Sequence, residues 1–189
     1  MGIFDRFRNT SVVEPDSDEK PKLDERRTEH YILKSLPIVL EDLKTLPQAD
    51  LLNPYKTAAL TILALYAYSQ EPKEGLAMLE FLKGSEIVTS EEKNFMEEYF
   101  EERPFAPMAY FKGSTPENDY TPTGDYRLDI YSNGKSNQEY GSMKVFIKCL
   151  GANNASKFVR LKKEGAQWYL VEHVLLCEMQ GPDESALWL

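Results

Sequence analysis

The chain has 189 residues, 42% hydrophobic and 28% charged, a balance ordinary for a soluble globular protein. Its formal net charge of -9 argues against general affinity for nucleic acid, whose phosphates need clustered Lys and Arg, and against broad attachment to anionic lipid. Two cysteines, Cys149 and Cys177, are too few for a disulfide framework, and both lie in apolar runs where buried, reduced thiols are expected.

The chain opens with "MGIFDRFR", in which Ile3, Phe4 and Phe7 fall at helical spacing opposite Asp5, Arg6 and Arg8. A charged, proline-bearing stretch, "VVEPDSDEKPKLDERR", follows with the composition of a solvated linker. Residues 1–27 thus read as a tether whose aromatic segment docks onto a partner, a neighbouring subunit or a membrane surface, or else is a frayed end or a helix folded back on its own domain. The opening has neither an apolar core nor a small-residue cleavage site, so it does not read as a secretory signal. Arg6 breaks the myristoylation pattern, and no run reaches the ~20 apolar residues of a membrane span. A cytoplasmic location is expected.

From Thr28 onward a single α+β domain is expected to about residue 180, with 181–189 as a tail. In "YILKSLPIVLEDLKTLP", Ile32, Leu33, Leu36, Val39, Leu40 and Leu43 form a helical stripe that Pro37 interrupts. Asn53 and Pro54 can start the next helix, which is apolar nearly all round and so predicted to be central. A third helix begins at Pro72, with Leu76, Leu79, Phe81 and Leu82 inward, and stops at Gly84. The fourth has Thr89 or Ser90 as its cap, glutamates in its first turn, and Phe95, Met96, Tyr99 and Phe100 as its buried face.

After residue 126 the period drops to two. Tyr126, Leu128 and Ile130 alternate with Arg127, Asp129 and Tyr131; Met143, Val145, Ile147 and Cys149 alternate with Lys144, Phe146 and Lys148. "KFVRLKKEGAQWYLVEHVLL" reads as a hairpin turning at "KEGA". The predicted architecture is α+β, with about four N-terminal helices packed on one face of a C-terminal antiparallel meander of about four strands.

Four blocks, "NPYKTAALTILALYAY", "FLKG", "YFKGSTPENDYTP" and "VRLKKEGAQWYLVEH", resemble a family of small bacterial proteins, mainly Gram-positive, known as a domain of unknown function. The resemblance runs over residues 36–176, is most distinctive at "FKGSTPENDYTP", and leaves the N-terminal tether outside. It implies a compact helical-plus-sheet domain with no established activity. The element order also resembles the cystatin-like and nuclear-transport-factor-like cone folds, in order alone.

The sequence holds no phosphate-binding glycine loop, no paired-cysteine metal motif and no nucleophile elbow. His173 and Cys177 could share a strand face with Cys149 nearby, but such a site would lack a fourth ligand, and no metal or cofactor is assigned. The acidic clusters read as solvated helix faces, and no residue is assigned as catalytic. Arg160 and Lys162 project to one side of their strand and could meet an anionic ligand or acidic partner. The segment over residues 109–126 is pinned by prolines and offers Tyr110, Phe111, Lys112, Asn118 and Tyr120, either as a recognition loop or as a strut between helices and sheet.

Two functions follow as expectations. The leading one is a non-enzymatic protein-interaction module with Ile3, Phe4 and Phe7 as a second contact. The alternative is a small-ligand-binding or hydrolytic protein with a pocket between helices and sheet under the 110–126 loop.

Overall fold

The computed structural model describes residues 27–182. The docking segment at Ile3, Phe4 and Phe7 lies outside the described residues.

The first element is a strand, not a helix. β1 (Thr28–Leu33) pairs antiparallel along its whole length with β2 (Tyr126–Tyr131), from Thr28 opposite Tyr131 to Leu33 opposite Tyr126. Tyr31 and Leu33 point inward while Ile32 is exposed, so a period of two runs beneath the helical stripe read across the same residues. Pairing decides the outcome. β2 meets the next strand at a single residue pair, Tyr131 with Phe146, and would otherwise present a nearly bare edge. Of the stripe from Ile32 to Leu43, only the part after Pro37 is helical, in α1 (Leu40–Thr45).

α2 (Pro54–Gln70) is the central helix. The Asn53 side chain accepts the Tyr55 N–H at 2.8 Å, and Pro54 occupies the first turn, where its missing donor costs nothing. Its two buried threonine hydroxyls are both satisfied: Thr57 donates to the Trp168 carbonyl and Thr61 to the Thr57 carbonyl, each at 2.9 Å. α3 (Pro72–Lys83) turns back against α2 so closely that a Cβ on Gly75 would lie 2.3 Å from the Tyr68 Cα. α4 (Ser90–Glu102) starts at Thr89 with a reciprocal cap: Thr89 Oγ1 accepts the Glu92 N–H at 3.2 Å, and the Glu92 carboxylate accepts the Thr89 N–H at 2.8 Å.

The remaining strands are β3 (Asn137–Glu139), β4 (Ser142–Cys149), β5 (Ala155–Glu164) and β6 (Gln167–His173). The curled antiparallel sheet runs β1-β2-β4-β5-β6, with β3 pairing β4. The expected four strands are thus β2, β4, β5 and β6, and β1 and β3 add to them. Leu128, Ile130, Met143, Val145, Ile147, Val159, Leu161 and Leu170 are buried beneath the helices, as the alternation requires. Among the described residues, no helix is long and apolar enough to cross a membrane.

Candidate functional site

The crossover from helices to sheet consists of 3-10 turns at Ala106–Tyr110 and Pro116–Asn118. Its aromatic rings point inward: Tyr110, Phe111 and Tyr120 are buried, Phe105 stacks on Tyr120 at 5.1 Å, and Phe111 meets Tyr126 edge-on at 5.5 Å. Asn118 ties the loop to itself, its side-chain oxygen accepting the Thr115 N–H and its amide donating to the Gly113 carbonyl, both at 2.8 Å. Lys112 faces solvent.

The hydroxyls of this region converge on the segment after β6. Tyr110 donates to the Leu175 carbonyl at 2.5 Å, Tyr120 to the Gln180 carbonyl at 2.5 Å, and Tyr99 of α4 to the Cys177 carbonyl at 2.6 Å. Burial pushes all three phenols up, Tyr120 to about 12, so they remain hydrogen-bond donors. Residues 174–180 are thereby strapped across the molecule. Gly151 admits the Tyr120 hydroxyl, which would stand 2.4 Å from any Cβ there.

Arg160 and Lys162 sit elsewhere, on the outer side of the sheet. Arg160 pairs with Glu172 at 3.0 Å across the β5–β6 ladder, and Lys162 pairs with Glu86 and, at 3.0 Å, with Glu164. Both cations are neutralised locally, and they do not join the 110–120 residues.

A cleft of about 140 Å³ opens where α3, α4 and β6 meet. Leu79, Val88, Met96, Leu170 and Leu176 form its walls, and Phe95, 52% exposed, stands at its rim. Helical spacing explains the lining, because positions three and four apart share a face: Leu79 with Lys83, and Glu92 with Phe95 and Met96. One corner is polar. The ammonium of Lys83, a residue only 7% exposed, lies 2.6 Å from the Glu92 carboxylate. Burial raises the Glu92 pKa, but hydrogen bonds from Lys83 and from the Thr89 N–H outweigh it and hold the carboxyl below its ordinary range.

His173 completes that corner. Its Nδ1 is buried with no hydrogen-bond partner among the described residues. Desolvation lowers the imidazole to about 4, with Glu92 working against that and Lys83 adding to it, so the ring is neutral at pH 7. His173 and Cys177 do not share a site: His173 faces Lys83 and Glu92, whereas Cys177 meets Cys149 and Tyr110. Among the described residues, no group of three His, Cys, Asp or Glu side chains is placed to hold a metal ion.

Lys83, Glu92 and the cleft as a whole were not legible as a site. Each wall residue reads alone as core, and the Thr89–Glu92 spacing signals only a helix start. The strongest local hint was His173, next to Glu172 at the end of a predicted strand.

Helices laid on a curled antiparallel sheet, with a small cleft at the α3–α4–β6 junction, define an α+β domain. The chain belongs to the family described as Domain of unknown function (DUF6935), whose model matches residues 35–183. No curated protein and no solved structure matches it.

Proposed function

We propose that the domain is a non-enzymatic protein-interaction module whose α3–α4–β6 cleft seats one apolar side chain of a basic partner segment. The observation that carries this reading is the cleft's size and lining. An apolar cavity of about 150 Å³ holds a single benzene ring, whereas small-molecule sites usually span about 300–1,000 Å³. A space of about 140 Å³ matches one aromatic or branched aliphatic side chain better than a whole metabolite. The lining also favours binding over chemistry: Lys83 and Glu92 neutralise each other, and among the described residues no hydroxyl or thiol nucleophile borders the cleft.

Charge at the rim supports a basic partner. Glu91 and Glu98 flank Phe95 on its helix face, and both point to solvent without an ion-pair partner among the described residues. Lys or Arg on either side of the anchoring side chain would meet them, raising the association rate and discriminating against acidic segments. The chain's own Phe4 and Phe7, beside Arg6 and Arg8, have this composition, and a docking role for Ile3, Phe4 and Phe7 is part of the same reading.

A photocrosslinking residue at the exposed position 87, beside the cleft, tests it in the full-length protein. The expected result is capture of one defined segment, from this chain or another, that weakens with salt and is lost in Phe95→Glu and Leu79→Trp. Capture unaffected by both substitutions, or no more capture than from a probe at Ile32 on β1, would overturn the proposal.

A further inference from the structure

Cys149 ends β4 fully buried, whereas Cys177 lies on the strap after β6 and is partly open to solvent. Backbone contacts bring them together. The Gln180 N–H donates to the Gly151 carbonyl at 2.8 Å, so the strap runs alongside the turn that follows Cys149. Tyr99 fixes Cys177 from both sides, donating to its carbonyl at 2.6 Å and accepting its N–H at 3.2 Å. Tyr110, anchored on the Leu175 carbonyl, lies within electrostatic reach of both thiols, and the thiols lie within reach of each other.

We propose that Cys149 and Cys177 form a thiol modification site that a peroxide-class oxidant closes to a disulfide. The sulfur of Cys177, the more exposed of the two residues, attacks the peroxide oxygen and breaks the O–O bond; the leaving oxygen departs as water or an alcohol, and Cys177 becomes a sulfenic acid. The Cys149 sulfur then attacks that sulfur, forming the S–S bond and expelling hydroxide, which takes up a proton as water. In total, two thiols give two electrons and two protons to one peroxide. The order follows from access. Burial, then the neighbouring Cys177, pushes the Cys149 thiol up to about 11, so it stays protonated and shielded until its partner is oxidised.

A covalent staple would replace a hydrogen-bonded clamp. Leu176, a wall of the cleft, is the residue before Cys177, so the oxidised strap would hold that wall against β4.

Full-length protein treated with hydrogen peroxide, then alkylated and peptide-mapped without reductant, tests the inference. The expected product is one intramolecular Cys149–Cys177 cross-linked peptide, removed by dithiothreitol, with a higher Tm in the oxidised form. In Cys149→Ser, dimedone should trap Cys177 as the sulfenic acid, whereas in Cys177→Ser the buried Cys149 should stay reduced. Full alkylation of both thiols after peroxide, over-oxidation of Cys177 without the cross-link, or only intermolecular disulfides would overturn the proposal.

Discussion

The Tyr99 hydroxyl and the Cys177 backbone hold each other reciprocally: the phenol donates to the carbonyl at 2.6 Å and accepts the amide N–H at 3.2 Å. One side chain on α4 therefore satisfies both polar groups of a residue 78 positions later. Removing the hydroxyl strands both. In Tyr99→Phe the ring packing survives and the loss should be about 1–3 kcal/mol, the cost of unpaired buried polar groups. Urea denaturation gives the magnitude, and amide exchange should quicken selectively across residues 175–180.

The α2–α3 hairpin depends on one missing methyl. Because a Cβ on Gly75 would fall 2.3 Å from backbone atoms of Tyr68, Gly75→Ala must push the helices apart despite the better helix propensity of alanine. The expected destabilisation is about 1–3 kcal/mol or more, seen as a lower urea midpoint with an unchanged slope. A midpoint equal to or above that of the parent protein would show that the helices are not in contact there.

His173 gives stability a definite pH dependence. Its folded pKa, lowered to about 4, lies below the ordinary 6.5, so between those values the unfolded chain binds the extra proton. Stability is therefore full above pH 6.5 and falls as the pH drops toward 4, by up to about 3 kcal/mol. Glu92, whose pKa is also depressed, continues the loss below its ordinary carboxylate range. Denaturation curves at stepped pH should show this slope, and His173→Leu should flatten the limb between pH 6.5 and 4 while leaving the more acidic one.

The α4 cap is separable from the cleft. Thr89→Ala removes the acceptor for the Glu92 N–H and should cost about 1 kcal/mol. Lys83 still pairs with Glu92 in that variant, so partner capture at the cleft should persist once the protein is folded.

The sequence showed most clearly where one element decides its own fate. Asn53–Pro54 and Thr89 start helices through contacts within four residues, and Met143, Val145, Ile147 and Cys149 alternate because one face of β4 is buried. The strand at Thr28–Leu33 was hidden because its apolar residues also fit a helix. The choice is made by β2, almost 100 residues away. The strap and the cleft were illegible for a stronger version of the same reason. Tyr99, Tyr110 and Tyr120 bond to backbone carbonyls, which carry no residue identity, and the cleft is walled by three segments that meet only after folding.

The most direct measurement is a methyl-NMR titration of the full-length protein with a short peptide carrying one phenylalanine between arginines. The cleft reading expects saturable shifts confined to Leu79, Val88, Met96, Leu170 and Leu176, weakened by salt and absent in Leu79→Trp. Shifts spread over the outer sheet, or none that saturate, would contradict it.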